Sequence, residues 1–349
     1  MALRLNPLTR LKLERFRALR RGWWSFLILV FLLLLAACAE LLVNSRALVV
    51  KYRGHYYFPT YAAFHPGADF GEGYAYETNY RQLRQRFRRE ARGDWVLMPP
   101  VPYNPFENAF VPGEYPPTAP SLQERHFLGT DTTGRDVLAR LLYGFRIAMI
   151  FALLFLALVY LIGTAAGCAM GYLGGGFDLL GQRLVEIWSN IPFLYVVIII
   201  ASILTPSLGL LLAIVVLFSW TGMTYYMRTA TYREKARDYV AAAEVLGAGR
   251  TRIVFRHILP NVLSTLVTFA PFTVADALTS LTALDFLGFG LRPPTPSWGE
   301  LLQQGTGNLN APWIVSSVGG AMVFVLTLVT FIGEAVRDAF DPKKFTYYE

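Results

Sequence analysis

The sequence predicts an all-α protein that is built into a membrane. Of its 349 residues, 54% are hydrophobic and 16% are charged, whereas a soluble domain usually carries about 25% charged residues. The mean hydropathy is +0.39, and the apolar residues come in blocks long enough to cross a bilayer. Because backbone groups in lipid must be hydrogen-bonded within the chain, each block is expected to form a helix.

Six apolar blocks reach the roughly 20 residues that a helix needs to cross the hydrocarbon core. They cover residues 23–43, 147–170, 187–204, 208–227, 262–287 and 314–333. The first block opens with Trp23 and Trp24, aromatic residues that suit the membrane interface. The third and fourth blocks are separated only by residues 205–207, so we expect them to form a helical hairpin with a tight turn.

Lys and Arg residues near the span ends predict the orientation, because short cytoplasmic loops carry an excess of positive charge. The segments before the first span and between spans four and five are rich in Arg, whereas Arg292 is the single basic residue between spans five and six. We therefore expect both termini in the cytoplasm. The long segment 44–144 is also rich in Arg, but long loops cross largely regardless of charge. It is expected to face the periplasm or the exterior.

These expectations divide the chain into five segments. They are a basic cytoplasmic segment 1–22, the first span 23–43, a periplasmic subdomain 44–144, a helical core 145–336 and a cytoplasmic tail 337–349. Aromatic and Pro-rich stretches predict that the periplasmic subdomain is ordered but has few long helices. Its run of Arg residues between Arg81 and Arg92 is expected to form a solvated helix face, or else to bind an acidic protein surface or anionic lipid.

Several other function classes find no support in the sequence. The net charge of +8 comes from basic residues beside apolar blocks, without a nucleic-acid-binding motif. Cys38 and Cys168 have no paired Cys or His spacing, which indicates neither a disulfide nor a metal site. Residues 35–38 look like a lipoprotein cleavage site, but the apolar residues that follow favour an uncleaved anchor. No nucleophile–base pair or nucleotide motif is present, so no enzyme is predicted and no cofactor is expected on this chain.

The segment between spans four and five, residues 228–261, is long and unusually apolar for a loop. Small and apolar residues recur in it at the spacing of one helix face: Tyr239, Ala242, Ala243 and Leu246. Gly247 can take the left-handed conformation that ends such a helix. A helix this short is marginal in water, so it needs a surface to pack against. That surface could be the membrane, the protein's own helices or a partner.

This segment resembles the "EAA" loop of the permease subunits of bacterial ABC importers, on Ala242, Ala243, Gly247 and the pair Leu259 and Pro260. In that family the helix inserts into a groove on a cytoplasmic ATPase and transmits its closure to the membrane helices. The resemblance implies a set of residues at or near the ATPase contact. They are Tyr239, Ala242, Ala243, Glu244, Leu246, Gly247, Arg250 and Arg252.

The chain departs from the family pattern at two positions of this loop. Ala241 stands where the family has an acidic residue, and Glu244 follows three positions later. His257 lies two residues before the Leu-Pro pair, where the family usually has an apolar residue. The resemblance therefore implies that an ATPase contact exists, without fixing its details.

Further motifs are similar to the C-type permeases of dipeptide and oligopeptide importers. They are LGTDTTGRDV at 128–137, GFGLRPPTPSWG at 288–299 and RDAFDP at 337–342. The long first outer segment looks most like that of the Yej-type importers of peptides and microcin C. The resemblance implies the type I ABC permease fold in a bacterial inner membrane, with the chain forming half of a translocation pathway. It also implies a B-type partner permease, two ATPase subunits that bind ATP and Mg²⁺, and a periplasmic peptide-binding protein.

Two carboxylates, Asp276 and Asp285, lie inside the fifth span, where an acidic residue is costly and usually faces a cavity or a partner. They are nine residues apart, so at about 100° per residue they point to opposite sides of a straight helix. Asp276 is a candidate to contact the peptide or its amino group. Asp285 is expected either to stabilise the outer end of the helix or to line the substrate path. In a rival interpretation, a proton-coupled secondary transporter, both aspartates would relay protons.

Overall fold

The structure is a computed structural model that describes residues 7–110 and 113–340, and it is mostly helical. Its helices are α1 (Pro7–Ala18), α2 (Arg20–Ala37), α3 (Ala39–Leu42), α4 (Tyr80–Glu90), α5 (Val137–Leu173), α6 (Gly175–Ser189), α7 (Phe193–Ile203), α8 (Leu208–Lys235), α9 (Asp238–Val245), α10 (Arg250–Arg252), α11 (Leu259–Phe286), α12 (Trp298–Gly307) and α13 (Pro312–Phe340). A π-helical segment, Ile253–Ile258, joins α10 to α11. Three strands, β1 (Val49–Tyr52), β2 (His55–Tyr57) and β3 (Trp95–Leu97), form an antiparallel sheet in the order β2-β1-β3.

Five helices in the described part of the chain are long and apolar enough to cross a membrane: α2, α5, α8, α11 and α13. The pair α6 and α7 adds a sixth span if the two helices, which are bent by 65°, are counted as one. We call the end of this bundle that carries the sheet and α12 the sheet end, and the opposite end, where α9 lies, the loop end. The multi-pass membrane architecture predicted from the apolar blocks is therefore confirmed.

The third span differs from its prediction as one continuous helix over residues 187–204. The chain breaks after Ser189, where α6 ends, and resumes its helix at Phe193 in α7. Pro192 explains the break, because proline lacks a backbone N–H and disfavours the helical conformation in the residue before it. Asn190 supports the bend, since its side-chain amide donates a hydrogen bond to the Glu186 carbonyl oxygen at 2.7 Å. The predicted start was also too late, because α6 begins at Gly175.

The contact between α5 and α8 is very close. Glycines recur every four residues on the face of α5 that meets α8: Gly163, Gly167 and Gly171. A Cβ atom added at Gly167 would lie 2.6 Å from the carbonyl oxygen of Thr224 and 2.7 Å from the Cβ atom of Met227. Small residues at this spacing let two helix backbones approach closely, and such packing drives helix association in lipid.

The first two helices both pack against the last one. In α1, the side chain of Phe16 is buried with Ile332, Ala335 and Ala339 of α13. In α2, a Cβ atom at Gly22 would lie 2.1 Å from the Cβ atom of Ala335. The beginning and end of the described chain are thereby held together at one end of the bundle. Arg4 of the basic segment and residues 341–349 of the predicted tail lie outside the described residues.

At the sheet end, α4 packs on one face of the three-stranded sheet. The buried side chains of this unit include Val50, Phe70, Leu83, Phe87 and Val96. The basic run of α4 is partly neutralised, because Arg81 lies 2.6 Å from Glu107 and Arg86 lies 2.8 Å from Glu72. Arg88 and Arg89 are exposed in the last turn of α4, Arg84 is half-buried, and Arg92 follows the helix.

A buried ionic network joins α5 to α12 at the sheet end. The Arg135 side chain lies 2.7 Å from Asp131 and 2.8 Å from Glu300. Arg140 pairs with the same Glu300 and donates a hydrogen bond to the Pro105 carbonyl oxygen at 3.0 Å. All four charged side chains are buried. Each charge therefore depends on its partners, because an unpaired charge in such a site is strongly destabilising.

Candidate functional site

The loop end of the bundle carries a short, well-defined helix, α9. Asp238 lies in its first turn, where a negative charge interacts favourably with the helix dipole. Its end has the hydrogen bonds of a Schellman motif: Ala248 N–H donates to the Ala243 carbonyl at 3.0 Å, and Gly247 N–H donates to the Glu244 carbonyl at 2.9 Å. Gly247 has a φ of +80°, the left-handed conformation that glycine adopts without strain.

The two sides of α9 have different surroundings. Val240 and Ala243 are buried against the helices of the bundle, with exposed fractions of 1% and 8%. Val245 and Leu246 project away from the bundle, with exposed fractions of 87% and 86%. The residues predicted to share one outward face therefore lie on two sides of the helix. Ala243 packs against the bundle, while Ala242 and Leu246 are accessible. The spacing of small residues predicts a face, but both faces of α9 carry alanine, so the spacing does not choose between them.

Hydrogen bonds connect α9 to three of the long helices. Tyr239 donates to Glu234 at the end of α8 at 2.8 Å and accepts from Asn261 of α11 at 3.1 Å. Glu244 accepts from the hydroxyl of Tyr172, next to the last residue of α5, at 3.3 Å. Burial, together with the hydrogen bond to Glu234, raises the pKa of Tyr239, so this hydroxyl stays protonated and can donate.

A further contact strengthens the junction between α5 and α8. Lys235 donates a hydrogen bond to the Tyr172 carbonyl oxygen at 2.6 Å, which ties the last residue of α8 to the last turn of α5. A displacement of α9 would therefore act on α5, α8 and α11 together. Tyr172 and Asn261 were not predicted from the sequence, because hydrogen bonds to residues 72 and 22 positions away leave no local pattern. Glu234 was not predicted either, although it is only five residues from Tyr239.

The two predicted basic residues of the loop, Arg250 and Arg252, lie after the turn that ends α9, in α10, and both are exposed. The segment that follows is π-helical: the backbone N–H of Leu259 bonds to the carbonyl of Val254, five residues earlier. Pro260 explains this irregularity, because its ring clashes with the preceding turn of a regular helix. The loop therefore enters α11 through a locally widened turn, a feature that often marks functional sites.

Asp276 lies on the accessible side of α11. It lines a cavity of about 360 Å³ between α5, α8 and α11, together with Tyr226, Thr273 and Ser280. The cavity combines a carboxylate with several hydroxyl groups, and that combination can bind an ammonium group and other polar groups of a ligand.

Asp285 has different surroundings near the end of α11 and is buried. Its carboxylate accepts a hydrogen bond from the Leu291 backbone N–H at 2.7 Å and another from the Ser297 hydroxyl. A Cβ atom at Gly299 would lie 2.4 Å from the Cβ atom of Asp285, so the loop after α11 packs directly on this residue. These contacts join the loop after α11 to the end of that helix, and the role of Asp285 stays a prediction.

Comparison with known proteins finds relatives that match most of the chain. Residues 163–346 match the family described as "Binding-protein-dependent transport system inner membrane component". The "Inner membrane ABC transporter permease protein YejE" of Escherichia coli (strain K12) is 42% identical over 341 residues, which are 98% of this chain and 99% of that protein. The "Peptidoglycan transport system permease protein YejE" of Agrobacterium fabrum is 40% identical over 97% of this chain and 94% of that protein.

Shorter matches extend to other permeases. The "Dipeptide transport system permease protein DppC" of Haemophilus influenzae is 38% identical over 62% of this chain and 74% of that protein. A solved structure of the MetNI methionine ABC transporter in an inward-facing conformation covers 58% of this chain and 97% of its own, with a TM-score of 0.49 and 18% identity. These relatives give no support to the rival interpretation of a proton-coupled transporter.

Proposed function

This chain belongs to the family of binding-protein-dependent transport system inner membrane components, the permease subunits of ABC importers, and on that premise we propose that it forms half of the translocation pathway of a peptide importer. Its relatives are named for the transport of peptidoglycan and of dipeptides. The substrate class we propose is therefore peptides or peptide-like compounds, including microcin C. Its partners would be a B-type permease, two ATPase subunits that bind ATP and Mg²⁺, and a periplasmic peptide-binding protein.

The proposed orientation follows from charge. Both termini and α9 lie in the cytoplasm, and the sheet end lies in the periplasm of a bacterium, because the short basic segments flank the loop end. The basic face of α4 and the sheet would then be available to the binding protein. This orientation places α9 where a cytoplasmic ATPase can reach it.

The structure of α9 carries the functional proposal. A short helix with two large apolar side chains projecting from the bundle, Val245 and Leu246, is typical of a surface that a partner covers. On its inner side, hydrogen bonds through Tyr239 and Glu244 reach three long helices. A partner that moves α9 would therefore move the helices around the cavity that Asp276 lines.

Transport would then proceed by alternating access. The loaded binding protein favours one conformation of the two permease halves, and closure of the ATPase dimer on ATP favours the other. Each ligand does work only because it binds the two conformations with different affinity. Asp276 would contact the peptide, or its amino group, in the cavity between α5, α8 and α11.

The assignment of α9 can be tested by copurification. The chain is tagged, produced with its native operon and solubilised gently, and the copurifying proteins are identified. We expect a second permease and ATPase subunits with the wild type. In Leu246→Arg the ATPase subunits should be lost while the second permease is retained, because a charge would replace an exposed apolar contact. Leu309→Arg is the matched control, since Leu309 is also exposed, at 81%, but lies between α12 and α13 at the sheet end.

Two outcomes would contradict the proposal. Equal recovery of ATPase subunits with Leu246→Arg and wild type would show that α9 is not the contact. Purification of the chain alone, with peptide uptake that continues after ATP depletion while the proton gradient is intact, would show that the importer assignment is wrong.

The proposed contact between Asp276 and the peptide is tested separately. Asp276→Ala should reduce peptide uptake when the variant is expressed at the normal level, and normal uptake would show that Asp276 does not contact the peptide.

A further inference from the structure

A long groove lies between α5 and the segment that leads into α11. It has a volume of about 650 Å³ and is lined by residues 157–173 of α5 on one side and residues 250–266 on the other. At about 1.5 Å per residue, the α5 wall is roughly 24 Å long. The groove begins at the loop end, beside Leu173 and Arg250, and runs along α5 towards the middle of the bundle.

The walls of this groove are apolar and accessible. Leu161 and Phe255 are exposed at 68% and 65%, and Leu263 at 46%. The α5 wall also includes the small residues Ala157, Ala165 and Ala169, which leave room for an occupant. Large apolar side chains along a transmembrane groove meet either lipid or a partner protein, because water is absent there.

The loop end of the groove is basic. Arg250 lines it directly, and Arg252 and Arg256 lie in the same segment and are exposed. Among residues 7–110 and 113–340, these three side chains take part in none of the ion pairs found. The groove is therefore basic at its loop end and apolar along its length. This pattern complements a phospholipid, which has an apolar acyl chain and, in an anionic lipid, a negatively charged headgroup.

The length of the groove fits an acyl chain together with its headgroup. Half of a hydrocarbon core is about 15 Å thick, so a groove of roughly 24 Å spans the chain region of one leaflet and reaches its headgroups. A single lipid of that leaflet thus matches the length of the groove.

We propose that this groove binds one anionic glycerophospholipid of the cytoplasmic leaflet, with its phosphate at Arg250 and an acyl chain along α5. The proposal rests on the proposed function for its orientation, which places the loop end in the cytoplasm. Basic pockets between membrane helices on the cytoplasmic side commonly hold such headgroups. The bound lipid would contact α10 and the π-helical segment immediately after α9, and so would hold the loop in position for the ATPase.

Native mass spectrometry of the purified permease–ATPase complex provides the test. The complex is exchanged into detergent with palmitoyl-oleoyl phosphatidylglycerol, or with phosphatidylcholine of the same acyl chains, and retained lipids are counted. We expect phosphatidylglycerol to be retained preferentially by the wild type. Arg250→Gln should lower that preference about fivefold, the effect of one basic residue near anionic lipid. Ala165→Trp, which fills the groove at an exposed position, should abolish retention of this lipid.

A matched control lies on the same turn of α5. Ile162 is 39% exposed but does not line the groove, so Ile162→Trp should retain the lipid as the wild type does. Equal retention by Ala165→Trp and wild type would overturn the proposal. So would a disulfide that an added oxidant forms between Ala165→Cys and a cysteine introduced into the partner permease, because the groove would then be a protein interface. Failure of the ATPase to copurify with wild type would instead refute the proposed function, so the two failures are distinguishable.

Discussion

The close packing of α5 on α8 allows a sharp prediction about Gly167. A Cβ atom there would lie 2.6 Å from the Thr224 carbonyl oxygen, whereas ordinary contacts begin near 3.4 Å. Gly167→Ala must therefore push the two helices about 0.8 Å apart around this turn. A gap of that size forfeits a quarter to a half of the dispersion energy of each affected atom pair.

We expect Gly167→Ala to lower the free energy of unfolding by about 2 kcal/mol, within the 1–3 kcal/mol range of overpacked cores. This corresponds to roughly a 30-fold fall in the ratio of folded to unfolded protein. Unfolding in mixed micelles with increasing dodecyl sulfate, followed by tryptophan fluorescence, measures it. Gly320→Ala in α13 is the control, because no atom lies within 4 Å of a Cβ atom there. If both variants unfold at the same dodecyl sulfate fraction, close packing at Gly167 does not stabilise the bundle and the reasoning is wrong.

Three further predictions follow from the contacts at the two ends of the bundle. Glu300→Ala leaves two buried arginines without their shared carboxylate, so it should cost about 3–5 kcal/mol in the same unfolding assay, and an unchanged midpoint would count against a stabilising network. Gly247→Ala strains a left-handed backbone position by about 1–2 kcal/mol and should therefore reduce the amount of ATPase that copurifies. Gly249→Ala should not, because Gly249 has a φ of −68°. Equal recovery of ATPase with the two variants would contradict this prediction. Tyr239→Phe removes the hydroxyl that connects α9 to α8 and α11, so it should lower peptide uptake per ATP hydrolysed in proteoliposomes while assembly persists; an unchanged ratio would show that these hydrogen bonds do not transmit motion.

Features encoded locally in the sequence were predictable. Apolar length alone located the membrane helices, because a span needs only about 20 apolar residues in succession. The break at Pro192 and the glycine spacing around Gly167 were equally local and visible, and a search for helix-breaking prolines and small residues four apart would have found both.

The contacts that build the site could not be predicted from local sequence patterns. Glu300 meets Arg135 from 165 positions away, and Glu244 meets Tyr172 from 72 positions away, so no window of sequence contains either pair. The periodicity of α9 likewise predicts faces without saying which one packs inward, and Ala243 turned out to be on the buried side. Such details depend on how the helices are arranged in three dimensions.

The length of α5 has a consequence for communication through the protein. Its 37 residues extend about 55 Å, well beyond a hydrocarbon core of about 30 Å. One end carries Arg140 of the ionic network, and the other carries Tyr172 beside Glu244. A single long helix thus joins the ionic network at the sheet end to the hydrogen bonds around α9 at the loop end. If a partner bound at one end tilts this helix and so changes the affinity for a partner at the other end, thermodynamic reciprocity requires an equal effect in the reverse direction.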